Sequence, residues 1–492
     1  MTSSNRVQIT SVKETTLGTT PTTPRMRTRR ATGESLKYVP TFEESEELRA
    51  DRMTADPIQT GTQSDGGINF ELIYPVPDSP LATDIESAFY NPWVNTPTRD
   101  NDGTADSVIT DVATTNTEVT HTTGAAFVAS QLVRFSGFAV AGNNGVFKCT
   151  TGGATTSRYV GSGITDESAP PAAARMKVVG FVGTSGDITA TATGLASTTL
   201  DFTTLGLAVG QWIKPGGTAA GDKFANVPAN NDWARITAIA ANALTLDNRP
   251  SGWGVDNGSG KTIKVWFGDQ IKNGITQIGQ TIERGFLGQT TPTYIAQKGL
   301  VATQLQMTWE AKKKITGSLT YLGMSATQGT STLDASPDAA PALAGYQVFA
   351  CGANVGRIAE AGASLASPNF VRALSFTVAN NATPIEAVDS IGPAGITGHE
   401  CTVTGQLNTY FGDNALLTKF FAGTPTSINI RATKNSQAVI VQFPRVTYNS
   451  DGSPNAGAKN QDVMLPLGFK ASKDEAITGA MVLMDRMEYL EV

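Results

Sequence analysis

The hydrophobic positions of this chain mostly alternate with polar ones. Valine, threonine and glycine recur in short alternating stretches, a pattern typical of half-buried strands separated by turns. Two stretches, 66–89 and 403–423, depart from this rule in the same way. In each, an alternating strand is followed by apolar residues at helical spacing. The pattern therefore predicts a mainly β protein in which a strand followed by a short amphipathic helix occurs twice.

Both predicted helices have recognisable ends. Ser79 is the expected N-cap of the first, and Pro80 lies in its first turn. Asp413 is the expected N-cap of the second, and Gly423 ends it. We expect both apolar faces to pack in a core under a sheet; they consist of Leu81, Ile85, Ala88 and Phe89, and of Leu416, Leu417, Phe420 and Phe421.

A second internal similarity joins 309–322 to 469–483. Each reads as a strand, a lysine-containing turn with "ITG", and another strand, which favours a β-hairpin. The spacing from helix to hairpin is much longer in the first copy, so the first copy carries an insertion. The insertion is placed at 96–260, where the composition becomes rich in Thr, Gly and Ala.

The insertion contains a weaker repeat of its own. Residues 131–149 and 211–236 both run from Gln through apolar and basic residues to a glycine turn and an Asn-rich turn. Two external β subdomains, of Ig-like or small-barrel type, are the natural interpretation. Their approximate bounds are 96–180 and 181–260.

The predicted fold class is mainly β, with two β-sandwich or barrel modules that each carry a short α-helix, and inserted β subdomains. Module 1 is expected at 31–95 and 261–325, and module 2 at 345–492. An N-terminal arm, 1–30, precedes them. An Ala/Ser/Thr/Pro-rich linker, 326–344, joins them.

Composition narrows the possible functions. Only 16% of the 492 residues are charged and the net charge is −6, which argues against general nucleic-acid binding. Cys149, Cys351 and Cys401 are far apart and form neither a disulfide framework nor a zinc motif. No signal peptide and no apolar run long enough to span a bilayer occur, so we expect no membrane anchor and synthesis in a reducing cytoplasm.

A search for catalytic motifs finds none. The two histidines, His121 and His399, lie in unrelated contexts, and neither H-E-x-x-H nor G-x-S-x-G occurs. The glycine-rich stretch 254–262 has the wrong spacing for a phosphate loop and precedes an alternating strand rather than a helix. We therefore expect no catalytic, cofactor-binding or metal-binding residues, and a structural or binding role rather than an enzyme.

The modules resemble the major tail tube proteins of bacteriophages with long, non-contractile tails. The matching features are "VKETTLGTTP", "GESLKYVPTFEESEELRADR", "GGINFEL…LATDIESAF" and the C-terminal "TVTGQLNTYFGDNALLTKFFAG…VMLPLGFKASKD". The resemblance implies ring-forming β-sandwiches whose strands join into a barrel around a DNA channel. It also implies stacking of the rings into a virion tail tube that is assembled in the host cytoplasm. The implied partners are other copies of the chain, the tape measure protein and viral DNA in the lumen, and the tail terminator and distal tail proteins at the ends.

This chain departs from the resemblance by having two modules. Three chains would then suffice for a pseudo-hexameric ring, with the insertion on the outside. The alternative function is a β-sandwich adhesin or carbohydrate-binding surface protein that uses the insertion. In that case Trp212, Trp233, Trp253 and Trp266 could stack on sugars, although strand cores are the commoner place for tryptophan.

Two charged segments are candidate inter-subunit contacts. Arg25, Arg27, Arg29 and Arg30 would dock an extended arm on an acidic surface of a neighbour; a solvated tail and a nucleic-acid contact are the alternatives. The run "TFEESEELRADR" carries Glu43, Glu44, Glu46 and Glu47. Because its approximate counterpart in module 2, 378–392, contains Pro384, we expect the run in module 1 to be extended rather than helical, as a charged contact or lumen-facing segment of a ring.

Overall fold

The computed structural model describes residues 3–103, 108–161, 163–454 and 456–489. Within these ranges the chain is a set of antiparallel sheets with few helices, as the alternating pattern predicts. The α-helices are α1 (Pro80–Phe89), α2 (Cys351–Asn354) and α3 (Ala415–Ala422). Short 3-10 turns occur at Ser4–Arg6, Thr115–Thr117, Ala141–Asn143, Phe202–Thr204 and Pro228–Asn231.

The strands fall into three groups along the chain. Those before the insertion are β1 (Val7–Lys13), β2 (Arg27–Thr28), β3 (Gly33–Glu34), β4 (Lys37–Glu43) and β5 (Ile58–Glu71). Those of the insertion are β6 (Thr98–Asp100), β7 (Ile109–Ala113), β8 (Glu118–His121), β9 (Gln131–Ser136), β10 (Gly145–Thr151), β11 (Thr156–Val160), β12 (Glu167–Ser168), β13 (Arg175–Val182), β14 (Thr189–Ala190), β15 (Gly194–Ala196), β16 (Trp212–Pro215), β17 (Ala234–Ala240), β18 (Ala243–Asp247) and β19 (Lys264–Trp266).

The remaining strands complete module 1 and form module 2. After the insertion comes β20 (Asp269–Lys272), which pairs with the last strand of module 2; module 1 continues with β21 (Gln280–Phe286), β22 (Thr293–Glu310), β23 (Thr316–Gly323) and β24 (Ser325–Gly329). Module 2 contains β25 (Val355–Glu360), β26 (Ala363–Ser364), β27 (Val371–Ala379), β28 (Thr383–Ile385), β29 (Gly395–Thr397), β30 (Thr402–Tyr410), β31 (Thr426–Lys434), β32 (Gln437–Ser450), β33 (Met464–Ala471) and β34 (Leu483–Glu488).

The strand pairings show that the two modules have the same topology. In module 1, β1-β21-β22-β24 form one layer and β4-β5-β23-β22 the other. In module 2 the corresponding layers are β25-β31-β32-β34 and β27-β30-β33-β32. The long strands β22 and β32 each take part in both layers of their sandwich. We call the second of these layers, β4-β5-β23-β22 or β27-β30-β33-β32, the polar layer of its module. The helix follows the second strand of the polar layer in both modules, β5 in module 1 and β30 in module 2.

The duplication extends to single residues. The pairings align Gly66 with Gly405, because the two residues face Tyr321 and Phe469 at equivalent points of β23 and β33. The bulge in β22 between Ala302 and Gln304 has a counterpart in β32, between Tyr448 and Ser450. A bulge is a positional feature of a strand, so its repetition supports a common ancestry of the two modules.

The second sequence similarity, between 309–322 and 469–483, does not reflect the fold. Residues 309–322 do form the β22–β23 hairpin. In 469–483, however, β33 pairs with β30 and β32, whereas β34 pairs with β32 and β20. The prediction of a second hairpin there is wrong. The structural counterpart of the β22–β23 pair is β32–β33, whose connecting loop is much longer.

Two predicted connecting segments are parts of module 1. In the segment 1–30, β1 pairs with β21 from Val7↔Phe286 to Lys13↔Gln280, so the expected arm contributes a strand to the sandwich. The expected linker, 326–344, begins inside β24, which pairs with the first half of β22. Neither segment shows the alternation of the longer strands, which is why the sequence suggested chain outside the fold.

The two helices differ from each other more than the sequence predicts. In α1 the Ser79 hydroxyl accepts a hydrogen bond from the Ala82 amide, and Leu81, Ile85, Ala88 and Phe89 are buried, as expected. In α3 the N-cap is Asn414, and the carboxylate of Asp413 accepts from the Ala415 amide at 2.9 Å. Gly423 ends α3 in the left-handed conformation, as expected.

The expectation of a fully packed second helix is wrong. Only Leu416 of the predicted α3 face is buried, and the Phe421 side chain is 76% exposed. Leu417 and Phe420 are partly buried against the edge of the main core. The helical spacing correctly predicted an apolar face, but the described chain leaves part of that face uncovered.

The two halves of the insertion have the same strand order. Its strands run β7-β8-β11-β10-β9-β13 in the first half and β14-β15-β18-β17-β16-β19 in the second, and β13 pairs with β19. Gln131 and Gln211 begin the repeated hairpins; their side chains accept from the Val128 and Ala208 amides. One apolar cluster extends through both halves. Assignment of the two halves to the Ig-like or small-barrel class stays a prediction.

A buried ionic network joins the three parts of the molecule. Asp269 of β20 accepts hydrogen bonds from Lys177 of the insertion at 2.5 Å and from Arg486 of module 2 at 2.8 Å. The Arg486 guanidinium also donates to the Pro75 carbonyl and lies 4.2 Å from the centre of the Trp93 ring. Burial raises the pKa of Asp269, but the two cations more than offset it and the pKa lies well below its usual range. The network fixes the insertion against both modules.

Candidate assembly site

One continuous layer crosses both modules. The polar layers of modules 1 and 2 are joined by seven residue pairs between β22 and β27, from Gln304↔Ala379 to Glu310↔Ala373. The strand order is therefore β4-β5-β23-β22-β27-β30-β33-β32. We call this layer the joint sheet. Its backbone hydrogen bonds make the module junction a part of the fold rather than a flexible linker.

The inner face of the joint sheet is apolar. Because directly paired residues of antiparallel strands lie on the same face, a row of contacts can be followed across both modules. One such row is buried throughout and consists of Ile68, Leu319, Leu305, Val378 and Val403. These residues belong to a single apolar core shared by the two sandwiches.

The outer face of the joint sheet is polar and almost neutral. The neighbouring row of paired residues runs through Asn69, Ser318, Gln306, Thr377, Thr404 and Lys470. Each of these side chains is partly or fully exposed. Short hydroxyl and amide groups thus form a broad surface with little net charge. We call this surface the polar face.

Both ends of the joint sheet have unpaired strand edges. At one end β4 pairs only with β5 among the described strands, and all seven of its residues are exposed. At the other end Met464–Leu467 of β33 pair with β30 on one side. Their other side is unpaired in the described chain because β32 ends at Ser450, opposite Gly468. An unpaired edge is a template for a strand from another chain.

The glutamates of the acidic run lie beyond this free edge. Glu43 is the last residue of β4, and Glu44, Glu46 and Glu47 lie in the irregular connection to β5. All four are exposed, and in the described part of the chain their carboxylates form no ion pair. The expected extended conformation agrees with the structure. Their role as an inter-subunit contact stays a prediction.

The predicted arginine arm is held by its own chain. Arg25 forms ion pairs with Asp102 at 3.3 Å and with Asp338 at 2.8 Å, and Arg27 lies near the same two carboxylates. The Arg29 guanidinium is buried and binds Asp84 through two hydrogen bonds of 2.7 and 2.9 Å.

Arg30 completes this intrachain docking by donating to the carbonyls of Pro341 and Tyr346. The acidic and carbonyl partners of these arginines in the described structure therefore belong to their own chain. The composition correctly indicated acidic partners, but it could not show that they belong to the same chain. An additional contact of these arginines with a neighbouring copy stays a prediction.

The residues considered for catalysis have structural environments. His121 is buried beside Ser157, and the His399 ring lies 2.9 Å from the Thr383 hydroxyl. The glycine-rich stretch 254–262 is an irregular turn that leads into β19, with no helix at its end. Over the described ranges no cluster of His, Cys, Asp and Glu could hold a metal ion. In those ranges, too, no helix is long and apolar enough to cross a membrane.

The tryptophans proposed for sugar stacking do not form an exposed platform. Trp212, Trp233 and Trp266 are buried, the first two against the outer surface of module 2. Trp253 is partly buried and donates to the Thr191 carbonyl at 2.8 Å. These four tryptophans therefore offer no exposed surface on which a sugar could stack.

The described chain is thus a duplicated antiparallel sandwich with a polar face and open sheet edges. The comparison with known families is specific: the sequence model of the family described as "Phage tail tube protein" matches residues 4–248 and again residues 246–471. The chain belongs to the phage tail tube protein family, which it matches twice. Its role is therefore structural, as a component of the virion tail. No curated protein matches the chain.

The two family matches divide the chain differently from the strands. They meet at 246–248, within the insertion, whereas the sandwiches separate between β24 and β25. The reason is that β21–β24 follow the insertion in sequence but complete module 1 in space. A linear match cannot represent a module that is interrupted in this way.

Proposed function

We propose that the chain polymerises into stacked rings that form the tube of a long, non-contractile phage tail. Three chains would supply the six modules of a pseudo-hexameric ring. The observation that carries this proposal is the β22–β27 pairing, which joins two equivalent modules edge to edge. It leaves β4, the counterpart of β27, unpaired at one end of the joint sheet, and the end of β32 with Met464–Leu467 of β33 unpaired at the other. Repeating the same joint between chains closes the sheet and removes its free edges.

The polar face suits the wall of a DNA channel. Rings closed through the joint sheet would line their lumen with the Ser, Thr, Asn and Gln side chains of this face. Apart from Lys470, the side chains named for this face carry no positive charge to bind phosphates, so DNA would pass with little retention. The same lumen would hold the tape measure protein before DNA entry.

The insertion would decorate the outside of the tube. In β32, Val439 and Val441 point into the core shared with the joint sheet. Ala438 and Ile440 point the opposite way and contact Trp212 and Trp233 of the insertion. The insertion and the polar face therefore lie on opposite sides of module 2, and a lumen on the polar side places the insertion outside.

The other partners follow from the tube. Its two ends would bind the tail terminator and the distal tail proteins, and its assembly would take place in the cytoplasm of the bacterial host. The unpaired edges of the joint sheet would be used within a ring, and the acidic connection 44–57 would be available for contacts between rings.

Electron microscopy of the purified chain tests the proposal. We expect hollow tubes or rings, with threefold symmetry and six similar lobes per ring after averaging. Six chains per ring would contradict the stoichiometry but not the tube. A chain that stays monomeric over a wide range of concentration and salt would contradict the polymerisation itself.

A further inference from the structure

The two equivalent helices are covered to different extents, and the cause is visible in the chain. Every residue of α1 except Thr83 is buried, whereas α3 buries only Leu416. Phe421 of α3 is 76% exposed, and Leu417 and Phe420 lie partly exposed beside it. A contiguous apolar helix face of this kind indicates a contact that the single chain does not supply.

The segment 380–401 of module 2 covers the end of α1. The buried Asn380 side chain donates to the carbonyls of Ala88 and Ala302, both at 3.0 Å. Ile396 packs against Tyr90, the residue that ends α1, and Gly398 lies against the Tyr90 ring. A module thus covers the helix of its neighbour with the segment that connects the first two strands of its polar layer.

The equivalent segment of module 1 projects from the fold. It consists of β4, the connection 44–57 and the start of β5, and we call residues 37–63 the hairpin arm. Among its exposed apolar side chains, those nearest the sheet are Tyr38, Val39 and Phe42. Leu48, Met53 and Ile58 are exposed further out. The exposed fraction rises from 38% for Tyr38 to full exposure for Leu48, so the described chain covers the base of the arm in part and leaves its outer side chains as uncovered as Phe421. At the base the Thr62 amide donates to the Ile391 carbonyl at 2.9 Å.

The intrachain joint predicts the register of a joint between copies. Val39 corresponds to Ala379, because their partners Gln63 and Thr402 occupy equivalent positions in β5 and β30. Ser450 corresponds to Gln304, because each follows the bulge and faces an equivalent residue of β33 or β23. The pair Gln304↔Ala379 inside the chain therefore becomes Ser450↔Val39 between chains.

We propose that the hairpin arm of one copy packs on α3 of the next copy and places Val39 opposite its Ser450. This inference rests on the proposed ring and specifies its contact between chains. Pro40 stands where module 2 has Asn380, so the amide hydrogen bonds to the helix end are replaced in this contact. Apolar packing of Val39 and Phe42 against Leu417 and Phe421 takes their place.

A disulfide between copies tests the register. Val39→Cys and Ser450→Cys would be combined in a background with Cys351→Ser and Cys401→Ser, the native thiols that are partly exposed. Assembly is carried out under reducing conditions and followed by oxidation. We expect a non-reducing gel ladder that ends at three linked chains. The matched control, Thr41→Cys with Ser450→Cys, moves the thiol about 7 Å along the strand, beyond the reach of a disulfide.

The possible results separate this inference from the proposed function. Tubes that form without a cross-link contradict the register and leave the tube intact. Equal cross-linking of the control pair contradicts it as well. Failure of the parent chain to assemble at all contradicts the proposed function and, with it, this contact.

A second variant tests the helix face without engineered thiols. Phe421→Ser removes an exposed side chain, so the melting temperature of the unassembled chain should not change, whereas the assembled fraction should fall at least tenfold. Val255→Ser, at a residue of the insertion that is 71% exposed, is the matched control and should assemble normally. Normal assembly of Phe421→Ser would overturn the proposed packing.

Discussion

Modules 1 and 2 have one topology but different surroundings, and α1 and α3 show the difference most clearly. α1 is enclosed by β1, by the docked N-terminal segment and by residues 380–401 of the other module. α3 has β25 beside it but no neighbouring module on its far side. The extent to which each helix is buried therefore depends on whether another module of the same chain packs beside it. The residues of the two helices differ accordingly.

Residues Asp84 and Lys419 allow the largest test of this comparison, because each is the fifth residue after its N-cap. Asp84 binds the buried Arg29, and also accepts from Gln280 and from the Tyr321 hydroxyl. Asp84→Ala leaves a buried cation unpaired and should lower the free energy of unfolding by about 3–5 kcal/mol. Lys419→Ala removes a partly exposed lysine and leaves the buried Glu360 with the Thr426 hydroxyl, so it should cost less, about 1–3 kcal/mol.

Chemical denaturation of the unassembled variants measures both changes. Equal losses would contradict the conclusion that the two helices differ in their surroundings. Asp84→Asn keeps the side-chain volume and separates the loss of charge from the loss of packing.

The apolar faces provide the next test. Ile85 of α1 is buried, and its equivalent in α3 is Phe420, which is only partly buried. Ile85→Ala creates a cavity in the core and should cost about 2–5 kcal/mol. Phe420→Ala removes a larger side chain but should cost the unassembled chain about 1–2 kcal/mol, because less of its apolar area is buried. A larger loss for Phe420→Ala would reverse the comparison.

The strands β24 and β34 are equivalent, yet only β34 contains a buried carboxyl group. Burial raises the pKa of Asp485 to about 8, with the Gln270 and Gln442 amides as its neighbours. The folded state therefore binds a proton that the unfolded chain releases near pH 4. Its contribution to stability is complete below that pH and is lost as the pH rises towards 8.

Thermal unfolding as a function of pH checks this expectation. Asp485→Asn should remove the decrease in stability between about pH 4 and pH 8 and leave the melting temperature higher at pH 8. An unchanged pH profile would show that another group is responsible.

The smallest effect on stability is expected at the tip of the hairpin arm. Replacing Glu43, Glu44, Glu46 and Glu47 by Lys changes exposed side chains, so the unassembled chain should lose less than about 0.5 kcal/mol. If the arm contacts a neighbour, the extent of assembly should fall, and the size of this decrease should differ between low and high salt. Light scattering during polymerisation measures the effect. Unchanged polymerisation at every salt concentration would remove these glutamates from the contact.

The sequence was sufficient for features that depend on local pattern. Ser79, Pro80 and the α1 face were predicted because caps and helical spacing are short-range signals, and the family was indicated by the order of such features. Features that depend on distant partners were not predictable. The sequence around the four arginines does not indicate that Asp84 and Asp338 are their partners. Likewise, the "ITG" of module 2 follows β33, which pairs with β30 rather than with the strand after the turn.

The covalent fusion of two modules has a consequence for the kinetics of ring closure. The β22–β27 joint forms within one chain, where the effective concentration of the partner strand does not depend on how much protein is present. In the proposed ring half of the joints are of this kind, so closure requires three joints between chains instead of six. The rate of ring nucleation should then fall less steeply when the protein is diluted. Each chain always adds module 1 and module 2 in the same order. The sequences of their free edges can therefore diverge, and the two modules still alternate around the ring.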